Sequence, residues 1–484
     1  MKLRELLNGL TILACSADLD RDIREVRYDS RAVEEGDLFV AITGAETDGH
    51  KYIPMAWEKG AACVVCQTVP EDGTPYVQVA DSRRALAVIG ANRFDHPADE
   101  LTMIGVTGTS GKTTSTYLIK SILEQKAGAK VGLIGTIQNM IGDRVLHTER
   151  TTPESYELQK LLRKMSDAGC SHVVMEVSSH ALCLDRVYGI RYAVGVYTNL
   201  SRDHLDFHHT MEAYCDAKAI LFDHCDVGIY NADDPWHERL MQSAKCPRRF
   251  SYAVHGQADL MAKNVQLHAG SVDFDAEADT EWAHVHVGIP ALFTVYNTLD
   301  AMACCWNLGV PLEECADALA KNHGVKGRME IIPTPGRDYT ILNDYSHKPD
   351  ALENVLQSVK GFAKGRTVVV FGCGGDRDRT KRPEMAQIAV KYATTAILTS
   401  DNPRHEDPDA ILDDMVAGLA PGDRYLRIAD RAEAIRTAAM LAKPGDILLL
   451  AGKGHETYQI VGDVKNHFDD KEEALRAFAL YAKN

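Results

Sequence analysis

The heptapeptide Gly108-Thr109-Ser110-Gly111-Lys112-Thr113-Thr114 has the residue types that hold a triphosphate. Glycines let backbone N–H groups turn toward one point, and a helix beginning there adds partial positive charge. Lys112 can reach the outer phosphates, and the hydroxyl of Thr113 or Thr114 can hold magnesium. The strict form of such a loop needs a small residue at 106; Val106 stands there and Gly105 comes one place early, so the loop is a variant. A second polar cluster, residues 198–209, packs His204, His208 and His209 with Asp203 and Asp206 after an apolar run. It points to a metal or phosphate site, the alternative being a histidine-rich surface loop. Glu176 follows another apolar run, where its carboxylate can bind magnesium or serve as a cap or salt-bridge partner.

These groups need strands to carry them. Residues 101–106 form an apolar run into the loop, and Leu118, Ile119, Ile122 and Leu123 follow at helical spacing. The cluster at 198–209 leads into a helix bearing Tyr214 and Lys218. Further on, apolar runs at 367–371, 396–399 and 446–450 each enter a polar loop, at 372–375, 400–404 and 451–455. Short buried strands alternating with helices predict a parallel, doubly wound sheet, with ligands at the carboxyl ends of its strands. Gly372-Cys373-Gly374-Gly375 lacks the third glycine of a dinucleotide fingerprint. Residues 250–290 alternate apolar and polar and predict an antiparallel excursion, and residues 92–99 read as a linker. The expected fold is α/β in three domains: a smaller α/β domain over 1–98, a central P-loop ATPase-like parallel sheet over 99–330, and a Rossmann-like domain over 331–484.

Composition narrows the class. The chain has 484 residues, 45% hydrophobic and 25% charged, as a multidomain globular protein does. No apolar stretch is long enough to span a membrane. Glu5 and Asn8 interrupt the apolar N-terminus, which predicts an amphipathic first helix rather than a signal peptide. A net charge of −16 argues against nucleic acid as a partner but leaves room for an anionic small substrate in a locally basic cleft. The twelve cysteines, several inside apolar runs, suit a reduced cytoplasmic protein. Cys63-Val64-Val65-Cys66 has redox spacing, yet its surroundings predict a buried strand.

Together the motifs resemble the Mur ligase family of ATP-dependent amide-bond-forming enzymes. The resemblance runs through Asp29-Ser30-Arg31, Asp48-Gly49-His50, the loop at 108–114, Thr151-Thr152-Pro153, Glu176-Val177-Ser178-Ser179-His180, and the cluster from Thr198 to His208. It continues through Gly327-Arg328-Met329-Glu330, Asp344-Tyr345, Gly374-Gly375-Asp376-Arg377-Asp378, Asp401-Asn402-Pro403-Arg404 and Gly452-Lys453-Gly454-His455-Glu456. It implies a monomeric cytoplasmic enzyme of peptidoglycan synthesis. That enzyme adds meso-diaminopimelate to a UDP-muramoyl dipeptide through an acyl phosphate, with ATP as co-substrate and two magnesium sites. It further implies that Gly108, Thr109, Ser110, Gly111, Lys112, Thr113 and Thr114 bind ATP, with Asn297, Arg328 and Asp344 on the adenine and ribose side. Ser30 and residues 43–50 would take the uridine nucleotide. Thr151, Thr152, Ser179 and Arg186 would take the muramoyl dipeptide and its phosphates. Thr113, Glu176, His204 and Lys218, the last as a carbamate, would hold magnesium, with Lys112, Lys218 and His204 catalytic. Arg377, Asp401, Asn402, Pro403, Arg404, Gly452 and Glu456 would bind diaminopimelate. Arg404 marks diaminopimelate rather than lysine because guanidinium forks onto the extra carboxylate. The alternative at 401–404 is an Asx turn with Arg404 facing solvent, and at Asn297 a helix cap.

The chain departs from the family at Ser346 and Lys348, where alanine and threonine are common, and at residues 291–294. His347 is a candidate base. The rival readings are a lysine-adding relative, a folylpolyglutamate-synthetase-like ligase, a non-catalytic nucleotide-binding subunit and a small-molecule kinase. The uridine-type first domain and Asp401–Arg404 speak against the folylpolyglutamate reading, and the magnesium ligands against the non-catalytic one.

Overall fold

The computed structural model describes residues 1–44, 47–322 and 324–481. The chain builds three main sheets in sequence order. The first has five strands in the order Ile12–Cys15, Tyr76–Val79, Cys63–Cys66, Leu38–Val40, Val26–Arg27. All its pairs are parallel except the first. Cys63 to Cys66 are buried in the middle of it, as the flanking apolar residues predict. The amphipathic first helix shrinks to Leu3–Leu6, because Gly9 turns the chain at φ +80° and Ile12–Cys15 then pairs at the sheet edge.

The central sheet has eleven strands. Its parallel core runs Leu260–Leu267, Arg248–Ala253, Cys225–Asn231, Tyr192–Tyr197, Thr102–Thr107, His172–Glu176, Val131–Ile134. The antiparallel excursion begins later than the alternation suggests, at Val272–Glu277 and Trp282–Val287. The chain leaves Thr102–Thr107, fills one side of the sheet, then crosses to Tyr192–Tyr197 on the other. This makes Thr102–Thr107 the topological switch point, where a crevice opens at the strand carboxyl ends. The helix Lys112–Lys126 buries Leu118, Ile119, Ile122 and Leu123 in the same core as helix Leu292–Asn307. Each such side chain contributes about 1.5–3 kcal/mol, and together they fix the axis on which the loop is mounted.

Residues 92–99 connect the first sheet's unit to the central sheet, as the linker reading expects, but as an ordered connection. Helix Ser82–Arg93 ends there, Asp95 and His96 turn in the left-handed region, and Pro97 is buried at the start of a short 3-10 turn. The last sheet has six strands in the order Glu330–Ile332, Thr340–Asp344, Ile447–Ala451, Thr367–Cys373, Thr395–Ser400, Tyr425–Arg427, parallel except for its first pair. This α/β architecture of largely parallel sheets is the fold class expected from the alternation of apolar runs. Among the described residues no helix is long and apolar enough to cross a membrane.

Candidate active site

The loop sits between two strand ends. Gly108 has φ +149° and Gly111 φ +89°, so these two glycines make the turn. Val106 is still inside the strand, level with Glu176 on one side and Val196 on the other. A small residue is not needed at 106, because the chain turns only after Thr107. A Cβ at Gly108 would overlap the Thr198 hydroxyl, and one at Gly111 would come within 2.5 Å of Asn297 Oδ1. Asn297 lies in the interior of helix Leu292–Asn307 and is therefore no helix cap; it faces the loop. Thr198 Oγ1 donates to Ser110 O at 2.6 Å, and Asn199 Oδ1 accepts from Ser110 N at 3.0 Å. Thr109 Oγ1 lies 3.2 Å from the Tyr214 hydroxyl. Thr114 is buried on the first turn of the helix.

Lys112 folds over the loop and donates to Gly108 O at 2.7 Å and Thr109 O at 3.0 Å. Burial lowers its pKa, with Glu176 opposing. Thr113 Oγ1 donates to Glu176 Oε1 at 3.0 Å. Thr136 holds the same carboxylate through its backbone N at 2.9 Å and its hydroxyl at 2.9 Å. Glu176 is thus neither a helix cap nor a salt-bridge partner. It is a buried carboxylate facing the phosphate loop.

The cluster at 198–209 enters the same crevice. His204 sits at φ +52°, its ring edge-on to His180 at 4.7 Å, and burial lowers its pKa to about 4, so it is a neutral imidazole. Asp203 lies 3.2 Å from its Nε2. Lys218 is 1% exposed, with Nζ over the Tyr214 ring at 4.4 Å. Among the described residues no carboxylate pairs with it. Burial, reinforced by Lys112, takes its pKa well down. Among the described residues, no three histidine, cysteine, aspartate or glutamate side chains group to hold a metal. The predicted set falls into two parts, Thr113 with Glu176, and His204 and Lys218, which each meet the Tyr214 ring. Its donors suit magnesium only if phosphate oxygens and a carbamate on Lys218 complete them.

The last sheet contributes cations. Arg328 Nη2 donates to Thr113 Oγ1 at 3.4 Å, and its guanidinium stacks on Tyr345 at 4.7 Å. Lys348 Nζ reaches Asp203 Oδ2 at 2.5 Å, so a position that departs from the family forms an ion pair with the 198–209 cluster. Asp344 accepts from Met329 N at 2.8 Å and from Ser346 Oγ. His347 Nδ1 lies 2.8 Å from Tyr345 O.

The loops at 372–378, 400–404 and 451–456 converge at strand carboxyl ends. Arg404, with φ +52°, donates to Gly375 O at 2.9 Å and Asn402 O at 3.4 Å, so it is half-buried across the loops rather than free in solvent. Asn402 makes no Asx turn: its Oδ1 accepts from Ile460 N at 3.0 Å rather than from the local backbone, and its Nδ2 donates to Glu456 Oε2 at 3.1 Å. Pro403 and Asp401 are buried, and Gly452 at φ +111° lets Asp401 Oδ2 approach to 3.0 Å of where a Cβ would stand. Arg377 is exposed and donates to Asp376 O.

Of the remaining predicted residues, Thr151, Thr152, Ser179 and Arg186 gather past the end of the His172–Glu176 strand, and Ser30 lies with the first sheet. Thr151 Oγ1 lies 3.0 Å from Thr136 Oγ1, Thr152 Oγ1 donates to Glu176 O at 2.8 Å, and Ser179 Oγ lies 2.8 Å from His208 Nε2. Arg186 pairs with Glu154 at 3.4 Å. Glu154 also meets Arg83 at 3.6 Å and Arg150 at 3.7 Å, two arginines beside Arg186 that sequence reasoning missed. They lie far apart in the chain, and no local motif announces them. Ser30, buried, bonds Met55 Sδ. Of the 43–50 segment, Ala45 and Glu46 lie outside the described residues.

Comparison with known proteins gives the family. Residues 22–94 match the Mur ligase family catalytic domain, 106–305 the Mur ligase middle domain, and 327–454 the Mur ligase glutamate ligase domain. The chain is 47% identical over 475 residues to UDP-N-acetylmuramoyl-L-alanyl-D-glutamate–2,6-diaminopimelate ligase 1 of Clostridium acetobutylicum, covering 98% of each chain. A solved structure of a UDP-N-acetylmuramoyl-L-alanyl-D-glutamate–2,6-diaminopimelate ligase superposes with a TM-score of 0.73 at 33% identity, covering 100% of this chain and 99% of that one. The MurF ligase of Thermotoga maritima in complex with ADP shares the fold at 18% identity, with a TM-score of 0.62 over 95% of this chain and 98% of that one. Three matching domains in order, and near-complete coverage at this identity, make the chain a member of the Mur ligase family.

Proposed function

We propose that this protein is an ATP-dependent ligase that joins meso-diaminopimelate to the D-glutamyl side chain of UDP-N-acetylmuramoyl-L-alanyl-D-glutamate in peptidoglycan precursor synthesis. The observation that carries the reading is the meeting, in one crevice, of a triphosphate loop, a buried carboxylate and cations from the last sheet. The names of the relatives supply the substrates. On this reading residues 1–98 hold the uridine nucleotide with Ser30, residues 99–330 hold ATP, and residues 331–484 hold the amino acid. Thr151, Thr152, Ser179 and Arg186 hold the dipeptide and its phosphates, assisted by Arg83 and Arg150.

A carboxylate is a poor electrophile, and the γ-phosphoryl group of ATP gives it a leaving group. The carboxylate oxygen attacks the γ-phosphorus and ADP departs. The amine then attacks the acyl carbon, and phosphate leaves with the carboxylate oxygen. Lys112, Arg328 and Lys348 offset the negative charge of carboxylate and triphosphate, an electrostatic and positioning effect. Thr113, Glu176, His204 and carbamoylated Lys218 would hold two magnesium ions, whose chemistry is to screen that charge further. Asn297 and Asp344 hold the nucleoside side. Arg377, Arg404, Asn402 and Glu456 orient the amino acid, Arg404 facing its distal carboxylate. His347, with Nδ1–H on the Tyr345 carbonyl, takes the ammonium proton at Nε2.

The test is phosphate release from ATP with the UDP-dipeptide present and with diaminopimelate, lysine or no amine. Release that depends on diaminopimelate is expected. Equal turnover with lysine contradicts the specificity, and amine-independent release contradicts the ligase reading.

A further inference from the structure

Lys453 is a charge that this chemistry leaves unused. Its side chain is 0% exposed, in the segment between Gly452 and Gly454, whose φ angles of +111° and +53° turn the backbone tightly. Nζ donates to Tyr458 O at 2.7 Å and to Asn402 Oδ1 at 3.2 Å. Glu456 Oε2 lies at 3.5 Å and Asp401 Oδ1 at 3.8 Å. The three ammonium protons are therefore used on the two loops proposed to bind the amino acid and on Tyr458 O just beyond them. Burying an ammonium is costly, and an apolar side chain of similar volume serves packing as well or better. Stability alone therefore does not explain the lysine.

What the ammonium does locally is orient its neighbours. Asn402 Oδ1 accepts from Lys453 Nζ and from Ile460 N at 3.0 Å, which fixes the amide so that its NH2 faces Glu456 Oε2. We infer that Lys453 is a positioning residue for the amino-acid substrate, setting the Asn402 amide and holding the Glu456 carboxylate charged to receive a substrate ammonium. The inference rests on the reading of residues 401–404 and 452–456 as the amino-acid site.

Charge bookkeeping gives it a pH signature. Burial raises the Glu456 pKa, and Asp401 adds to the rise, while Lys453 and Asn402 oppose it. Tyr458, Tyr345 and Arg431 also face this carboxylate, the last paired with Asp470 at 2.6 Å. Without Lys453 the upward pushes stand less opposed, so Glu456 takes up a proton at higher pH. A neutral carboxyl no longer pairs with an ammonium. Binding is then lost as pH falls.

The experiment is steady-state kinetics of the full chain, comparing wild type with Lys453→Met and Lys453→Gln. The KM for diaminopimelate is expected to rise about tenfold or more, the loss of a buried charged hydrogen bond. The KM values for ATP and the UDP-dipeptide are expected to stay within about twofold. The penalty should deepen as pH is lowered. An unchanged diaminopimelate KM, a joint rise of all three KM values, or a penalty independent of pH overturns the role. So does failure of both variants to fold, which would make Lys453 a stability residue. Wild type using lysine as well as diaminopimelate would sink the substrate reading instead, with the Lys453 effect then read on the KM for lysine.

Discussion

Half-buried Lys112 and buried Lys218 both have lowered pKa values, and they differ in their partners. Lys112 has two loop carbonyls, which hold it as a cation where phosphate would sit. Lys218 is buried beside the like charge of Lys112, which favours the neutral amine, the form that adds carbon dioxide, although the Tyr214 ring face favours the cation. Lys218→Arg keeps a charge but cannot form a carbamate, and is expected to lower kcat about 100-fold or more. A carbamate signal from labelled bicarbonate should be seen in wild type and vanish in the variant; retained activity in the variant would contradict the carbamate. Arg404→Lys loses the fork and the reach across to Gly375 O, so the KM for diaminopimelate should rise about tenfold, checked by initial rates against that substrate. An unchanged KM would remove Arg404 from recognition. Arg404 could be singled out because it stands in the contiguous motif 401–404, whereas Lys218 stands in no motif and was singled out by the family resemblance alone. Lys348 was legible only as a departure, since its partner Asp203 lies far back in the chain.

At the level of elements, the loop after Arg404 is tied to helix Lys381–Tyr392 by a buried arginine. Arg382, fully buried, grips Glu406 with bonds of 2.8 and 3.0 Å, and Asp376 N donates to the same carboxylate at 2.6 Å. Arg382, aided by that N–H, holds Glu406 down to about 2, below its ordinary 4.5. A lowered folded pKa stabilises fully above the unfolded value and is lost as pH falls through the folded one. Wild type should therefore lose stability between pH of about 4.5 and about 2. Glu406→Gln should lower the melting temperature at neutral pH and flatten that acid limb, read by thermal unfolding across pH; an acid limb as steep as wild type would contradict the assignment. Strands and helices were legible because apolar period reports burial. The first helix and the connection at 92–99 were legible as elements, but their extent and conformation were not, because Gly9 and the left-handed turn at Asp95 and His96 act through backbone angles that composition does not reveal.

Across the whole molecule, the crevice is built where the central and last sheets meet. Gly327 at φ +67° lies against the backbone of Gly454 and His455, where a Cβ would overlap. Gly327→Ala should cost about 1–3 kcal/mol and impair turnover, checked by unfolding and by kcat; wild-type behaviour would show that the contact is dispensable. The Asp203–Lys348 pair is partly exposed, so a double-mutant cycle on kcat should give a coupling of about 1 kcal/mol or less. A coupling several times larger would mean that the pair works as a catalytic unit. Such meetings between distant segments, like the arginines around Glu154, were invisible in the sequence, where the order of motifs reveals the parts but not their contacts. The central claim is that ATP makes the D-glutamyl carboxylate reactive toward an amine. The direct measurement follows heavy oxygen from that carboxylate, with the labelled UDP-dipeptide, ATP and diaminopimelate turned over together. The account predicts that each phosphate released carries one labelled oxygen and that the product is the amide. Unlabelled phosphate, or labelled phosphate formed equally fast without any amine, would contradict it.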